Sequence, residues 1–219
     1  MERFRAGANA VPGTASTAPA SIHRVGGLAL ARTRAVATTE STVRRLNWAC
    51  GPTPAPGWIN ADRLRAPGIA LSGDIRDGLP LDDDAVDYAV AIHGLQDLSY
   101  PEVVPALQEL RRVLRSGGVL RLGLPDLDRA LAAYARGDAG YFYIGDAEVT
   151  TLSGKLIVQL TWYGSVRTPF TWEFARELLL RAGFRRVTRC DYRLTASPHA
   201  DIVELDNRER ESLFVEAVK

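Results

Sequence analysis

Cysteine is scarce in this sequence, since its 219 residues include only Cys50 and Cys190. Two cysteines that stand so far apart form neither the paired spacing of a zinc site nor the framework of a disulfide-stabilised domain. We therefore expect no metal site, and the scarcity favours a reducing compartment. The predicted location is cytoplasmic.

An excess of charge and long apolar runs are also missing. Lys and Arg number 27 and Asp and Glu number 26, so the formal net charge is +1. This balance gives no strong field that would attract nucleic acid or an anionic membrane surface. No apolar run approaches the roughly 20 residues that cross a bilayer, and no apolar signal-peptide segment follows Arg3 and Arg5. We expect neither nucleic acid nor a membrane as a partner, and the oligomeric state stays open.

Residues 1–40 differ in composition from the rest of the chain. They are rich in Ala, Thr, Gly and Arg, and Glu2 and Glu40 are their only acids. Such a segment buries too little apolar surface to offset the entropy of ordering it. We predict a disordered or loosely docked tail over residues 1–40 and one domain over residues 41–219. A transit-like peptide or an over-long translation start would have the same composition.

From Thr42 onward, short apolar runs alternate with helical periods, which is typical of βαβ units and a parallel sheet. Only residues 52–57 separate the first two apolar runs, and a helical crossover usually needs a dozen residues or more. The first crossover is therefore predicted to be a loop or a stub of helix. The predicted strands cover residues 43–48, 58–62, 69–71, 86–92, 119–124, 186–190 and 212–218. The predicted helices cover residues 99–114, 127–136, 152–160 and 171–182.

The ends of the first two runs suit a nucleotide-like ligand. Residues 49–51 form a turn of small residues, which lets the backbone approach a ligand closely. The second run ends on Asp62, whose carboxylate can accept two hydrogen bonds from a ribose diol. Together, the turn at residues 49–51 and the carboxylate of Asp62 predict a binding site at the ends of the strands.

Several stretches in a fixed order carry a resemblance to a known family. They are residues 46–51 (LNWACG), 57–62 (GWINAD), 79–81 (LPL), 86–88 (VDY) and 109–118 (ELRRVLRSGG). Together they resemble the class I S-adenosylmethionine-dependent methyltransferases, in particular the methyltransferase type 11 group, over roughly residues 43–128. The resemblance implies an α/β fold with a doubly wound, mostly parallel seven-stranded sheet and the cofactor S-adenosyl-L-methionine.

The resemblance also implies roles for individual residues. It assigns Ala49, Cys50 and Gly51 to the methionine side of the cofactor and Asp62 to the ribose hydroxyls. Asp74 and Ile75 would face the adenine. His93 and Gly94 would lie near the transferring methyl group, and an unperturbed histidine pKa near 6.5 suits a general base. The implied reaction is methyl transfer to a hydroxyl of a small molecule or saccharide.

Two positions depart from the family pattern. Ala49 stands where the family usually has glycine, so its methyl group would crowd the cofactor or strain the turn if the backbone needs a positive φ. Gln96 and Asp97 stand where members often have Glu-His. These departures motivate an alternative function, a non-catalytic S-adenosylmethionine-binding or assembly module. A nicotinamide-dependent oxidoreductase is disfavoured, because the G-x-G-x-x-G turn that leads into a full helix is absent.

Several of these residues also have a simpler structural interpretation. Asp62 and Asp74 could cap turns, and His93 could be a buried core histidine at a strand end. Asp97, Asp126 and His199 are alternative candidates for the base. Aromatic residues that could line the acceptor pocket or belong to the core are Tyr134, Tyr141, Phe142, Tyr143, Trp162, Tyr163, Phe170 and Trp172.

Overall fold

The computed structural model describes residues 43–219, which belong to one compact unit. The tail predicted for residues 1–40 lies outside this range and stays a prediction. Within residues 43–219, no helix has both the length and the apolar character that a membrane-spanning segment requires.

Seven strands and four α-helices make up the described domain. The strands are β1 (Arg45–Trp48), β2 (Ile59–Asp62), β3 (Leu71–Ser72), β4 (Val86–Ile92), β5 (Leu114–Pro125), β6 (Arg185–Cys190) and β7 (Ser212–Val218). The helices are α1 (Tyr100–Val113), α2 (Leu127–Ala135), α3 (Leu152–Thr161) and α4 (Trp172–Arg181).

The strands form a single sheet in the order β3-β2-β1-β4-β5-β7-β6. Strands β1 to β5 pair in parallel, whereas β7 pairs antiparallel with both β5 and β6. This is the seven-stranded, mostly parallel sheet of a Rossmann-like methyltransferase fold, so the predicted fold class is confirmed. The first crossover is a loop, as its length required.

The two faces of the sheet are covered differently. On one face, Val103, Leu107 and Leu110 of α1 share the main apolar core with Leu178 of α4 and with strand residues. On the other face, Trp58, Tyr88 and Val119 pack with Ile202, which lies in a short 3₁₀ turn before β7. The crossovers after β1 and β2 contain no α-helix to cover this second face, so the segment before β7 does so.

A buried ion network fastens that segment to the sheet. Arg121 on β5 is fully buried, and it pairs with Asp206 at 2.5 Å and with Glu216 of β7 at 2.7 Å. Its guanidinium also donates to the carbonyl oxygens of Asp191 and Leu194. The segment is therefore held by charge-assisted hydrogen bonds in the interior, where losing one partner leaves a buried charge unpaired.

Some predicted boundaries were wrong. β5 begins at Leu114 and not at residue 119, because Leu114 pairs with Val86 before a bulge interrupts the ladder. β3 covers Leu71–Ser72 and not residues 69–71, and β1 begins at Arg45. Helix α1 has the predicted N-terminal capping box between Ser99 and Glu102.

Candidate functional site

A cleft of about 450 Å³ opens where β1, β2 and β4 end. Seven of the eight residues predicted to bind the cofactor line it: Ala49, Gly51, Asp62, Asp74, Ile75, His93 and Gly94. Cys50 is the exception, because the structure does not place it on the lining. Burial raises the pKa of the Cys50 thiol, which therefore stays protonated at neutral pH. We call this space the cofactor cleft.

The turn after β1 has the backbone conformation that favours glycine. Ala49 has a φ of +57° and Gly51 a φ of +64°. A Cβ atom built on Gly51 would meet nothing within 4 Å, so the backbone there faces open space. A ligand in the cleft can therefore approach the peptide at Gly51 closely.

Asp62 holds this turn in place. One carboxylate oxygen accepts from the Gly51 backbone N–H at 2.8 Å, and the other accepts from the Leu64 backbone N–H at 2.9 Å. A carboxylate can accept about four hydrogen bonds, so each oxygen keeps capacity for a further donor. The arrangement fits a ribose diol and also accounts for the order of the turn.

Asp74 is tied to Arg76, which also lines the cofactor cleft. The Asp74 carboxylate accepts from Nε of Arg76 at 2.9 Å and from Nη2 at 2.5 Å. These hydrogen bonds lower the pKa of Asp74 to about 2. The Asp74 carboxylate is thus ionised, and its hydrogen-bonding capacity is largely taken up by Arg76. The adjacent Ile75 is buried and offers an apolar surface to the cofactor cleft.

His93 follows β4 directly and has a φ of +56°. Its Nε2 lies 2.8 Å from Oγ of Ser212, and that hydroxyl donates its single proton to the Arg208 carbonyl oxygen at 2.8 Å. The tautomer compatible with that bond has the imidazole proton on Nε2, which donates to the Ser212 oxygen, and a lone pair on Nδ1; in the other tautomer, Ser212 donates to Nε2 instead. Burial, reinforced by the positive charge of Arg208, lowers the pKa of His93 to about 3. His93 is therefore a much weaker base than an unperturbed histidine, and it is neutral at physiological pH.

A second, smaller space of about 40 Å³ lies beside His93. We call it the inner cavity; the residues that define it are His93, Gln96, Asp126, Tyr141, Trp162 and Glu211. His93 lines both this cavity and the cofactor cleft. Burial raises the pKa of Glu211, and it raises the pKa of Tyr141 to about 12.

The alternative base candidates are distributed differently. Asp97 lines the cofactor cleft, and burial raises its pKa. Asp126 lines the inner cavity, where Arg189 at 3.2 Å and Arg129 at 3.4 Å pair with it. His199 stacks on Tyr88 at 4.5 Å and lines neither space.

Among the aromatic residues considered for the acceptor pocket, Tyr141 and Trp162 line the inner cavity. Phe170 belongs to the main core, and Phe142 to a small apolar cluster that it shares with Tyr141. Tyr134, Tyr143 and Tyr163 are exposed.

Glu211, Ser212 and Arg208 were not predicted as site residues. They reach the site because β7 runs antiparallel to β5, pairing Ser212 with Pro125, so that β7 begins at the edge where the parallel strands end. The predicted last strand began at residue 212, which offered a signal for this placement. The sequence pattern did not reveal the direction of that strand.

Comparisons with known proteins agree with this geometry. Residues 36–122 match a family model described as a methyltransferase domain. A methyltransferase structure from Archaeoglobus fulgidus, described as S-adenosylmethionine-dependent, superposes with a TM-score of 0.50 at 13% identity, over 81% of this chain and 87% of that one. A Thermotoga maritima structure described as a possible histamine N-methyltransferase gives a TM-score of 0.49 at 19% identity, over 80% of this chain and 82% of that one. No curated protein matches the sequence significantly.

The fold is that of a class I S-adenosylmethionine-dependent methyltransferase. The match of residues 36–122 to a methyltransferase domain is consistent with this class and implies S-adenosylmethionine as the cofactor.

Proposed function

We propose that this protein transfers a methyl group from S-adenosylmethionine to a hydroxyl of a small molecule or saccharide. The observation that carries the proposal is the position of His93, which borders the cofactor cleft on one side and the inner cavity on the other. An acceptor group at the inner cavity and a cofactor in the cleft would thus meet at one side chain.

The residues of the cleft fit the cofactor. Asp62 would accept from the ribose hydroxyls, Gly51 would allow close approach of the methionine portion, and Ile75 would contact the adenine. The cleft volume of about 450 Å³ lies within the usual range of ~300–1,000 Å³ for small-molecule sites. The bound cofactor supplies an electrophilic methyl group on a sulfonium centre.

His93 would position the acceptor and take its proton. With its proton on Nε2, the imidazole presents the Nδ1 lone pair as a hydrogen-bond acceptor for a hydroxyl. A pKa of about 3 is low for a base acting on a free alcohol. Methyl transfer to the oxygen, however, yields a protonated ether, which is a far stronger acid, so a weak base suffices once the transfer is under way.

Calorimetry with S-adenosylhomocysteine tests the cofactor site. Asp62→Ala should weaken binding roughly tenfold to a hundredfold, because hydrogen bonds to a charged group contribute about 1.5–3 kcal/mol. Asp82→Ala is the matched control, since Asp82 is exposed and does not line the cleft. Equal affinities for the two variants would remove Asp62 from the site.

Turnover tests the chemistry, once a screen of hydroxylated compounds has found an acceptor. His93→Ala should lower turnover by roughly 10²–10⁴-fold, the usual contribution of a positioned acid–base group. The affinity of the variant for S-adenosylhomocysteine should change little, because the proposed role of His93 is toward the acceptor. His199→Ala is the control, and a similar loss in both variants would contradict the assignment.

A non-catalytic S-adenosylmethionine-binding or assembly module is the second candidate. It is favoured by the methyl group of Ala49 inside the cleft and by Gln96 and Asp97 at positions where the family often has Glu-His. Tight binding of S-adenosylhomocysteine without methylation of any acceptor in a broad panel would support this candidate. A cytoplasmic location is retained as part of the proposal.

A further inference from the structure

Three buried polar atoms point to a ligand in the inner cavity. Among the residues that the structure describes, the buried side-chain atoms without a hydrogen-bond partner are Nδ1 of His93, Oε1 of Gln96 and Oη of Tyr141. All three residues line the inner cavity, and Gln96 and Tyr141 are 5% and 9% exposed. A buried polar atom without a partner is destabilising, so three around one space indicate a group that satisfies them.

The hydrogen-bonding character of these atoms defines what the ligand must offer. The Gln96 amide nitrogen donates to the His93 carbonyl oxygen at 2.6 Å, so its free end is the oxygen, which can only accept. Nδ1 of His93 also accepts in the tautomer whose Nε2 proton is donated to Ser212. The Tyr141 hydroxyl can donate or accept. The ligand therefore needs two hydrogen-bond donors and benefits from one acceptor.

The charges around the cavity favour a neutral ligand. Asp126 is paired with Arg129 and Arg189, and Glu211 lies 3.5 Å from Arg208. Each carboxylate on the cavity wall thus has a guanidinium partner, and no unpaired negative charge is left to recognise an ammonium group.

The size of the cavity limits the ligand to a small end group. One water-sized group needs roughly 10–15 Å³ of this kind of space. The cavity of about 40 Å³ therefore holds only a few heavy atoms. Leu127, Ala130 and Leu160 also line it and provide apolar contacts for carbon atoms.

We propose that the inner cavity binds the hydroxylated end of a neutral polyol, such as a vicinal diol. Two hydroxyls donate to Gln96 Oε1 and His93 Nδ1, and the Tyr141 hydroxyl donates to one of their oxygens. Calling this polyol the methyl acceptor rests on the proposed function, whereas its binding to the cavity does not.

Ethylene glycol is the probe, because it carries two hydroxyls on adjacent carbons and little else. The ¹⁵N resonances of histidine-labelled full-length protein should be followed during titrations with ethylene glycol, ethanol and ethylammonium, with and without S-adenosylhomocysteine. We expect ethylene glycol to shift the His93 Nδ1 resonance saturably and at lower concentration than the other two probes. The resonances of His199, which lies outside the cavity, serve as the internal reference.

Two conservative variants connect the shift to the cavity. Tyr141→Phe removes one polar partner with little change in volume, and Gln96→Met removes the accepting oxygen together with the hydrogen bond to the His93 carbonyl oxygen. Each should weaken glycol binding by about tenfold or more. Tyr143→Phe is the matched control, because Tyr143 is exposed and does not line the cavity. Circular dichroism and S-adenosylhomocysteine binding establish that each variant is folded.

The possible outcomes separate this inference from the proposed function. Tighter binding of ethylammonium would overturn the assignment of a neutral ligand. The absence of a saturable shift with any probe would mean that the cavity holds water only, and it would overturn the inference even if S-adenosylhomocysteine binds. Glycol binding without any affinity for S-adenosylhomocysteine would instead contradict the proposed function and leave the polyol site in place.

Discussion

The contact between Ala49 and Gly94 allows a quantitative test of the cofactor cleft. A Cβ atom built on Gly94 would lie 2.3 Å from Cβ of Ala49, far inside van der Waals contact. Its next nearest neighbours, Cα of Ala49 and Cζ3 of Trp48, are both at 3.8 Å, an ordinary contact distance. Gly94 has a φ of −112° and a ψ of −36°, which any residue can adopt. The methyl group of Ala49 is therefore what excludes a side chain at position 94.

The size of each effect follows from this geometry. Gly94→Ala overpacks the contact, which typically costs about 1–3 kcal/mol, and the gain of about 0.4–1 kcal/mol from a stiffer unfolded chain offsets only part of it. Ala49→Gly relieves a left-handed alanine, which is worth roughly 1–2 kcal/mol. It also raises the conformational entropy of the unfolded chain and removes a methyl contact, and these two costs are of similar total size. Its net effect on stability should be close to zero. In the double variant the clash is gone, so the two substitutions should couple favourably by about 1–3 kcal/mol.

Urea unfolding of the four proteins measures this coupling, provided that the m-values agree. If the effects of Ala49→Gly and Gly94→Ala on the free energy of unfolding add within about 0.5 kcal/mol, the proposed clash between positions 49 and 94 is refuted. The same proteins test the cofactor site by calorimetry with S-adenosylhomocysteine. Ala49→Gly should bind more tightly, because it restores the glycine usual in the family. Weaker binding would mean that the turn accommodates Ala49 and that the crowding argument fails.

Two further predictions concern stability and domain organisation. Arg121→Met should lower the free energy of unfolding by about 3–5 kcal/mol, because it leaves two buried carboxylates unpaired. Arg181→Met, which removes an ion pair with Glu177 whose two side chains are both exposed, should cost under about 1 kcal/mol. Similar urea midpoints for the two variants would contradict this. A chain that begins at Glu40 should unfold at the same urea concentration and bind S-adenosylhomocysteine as tightly as the full chain, and a loss of either property would show that the tail contributes to the domain.

Much of the sheet was predictable because strands that are buried on both faces are largely apolar runs. β4 and β7 begin and end at the predicted residues, since their apolar stretches have clear ends. The start of β5 was not predictable, because Ser116 and two glycines follow Leu114 and resemble a loop. Pairing with Val86 extends the strand across this bulge, and such pairing is a tertiary effect that local pattern does not contain.

The two halves of the site differ in how far the sequence predicts them. The small-residue turn and Asp62 could be located because they directly follow consecutive strands, and parallel strands end at one edge of the sheet. The inner cavity draws Gln96, Tyr141 and Glu211 from segments far apart in the chain. No spacing connects these residues, and only the packing of the helices and the antiparallel course of β7 brings them together.

His93 shows how the fold changes the chemistry of a candidate residue. From sequence, its case as a base rested on a pKa near 6.5, and burial removes that argument by lowering the pKa to about 3. What replaces it is geometry, because the tautomer that donates from Nε2 to Ser212 leaves Nδ1 as an acceptor. Ser212 in turn is placed by the pairing of β7 with β5, and a shift of one residue would turn it to the opposite face of the sheet. The register of the last strand therefore decides whether His93 can receive a proton from an acceptor.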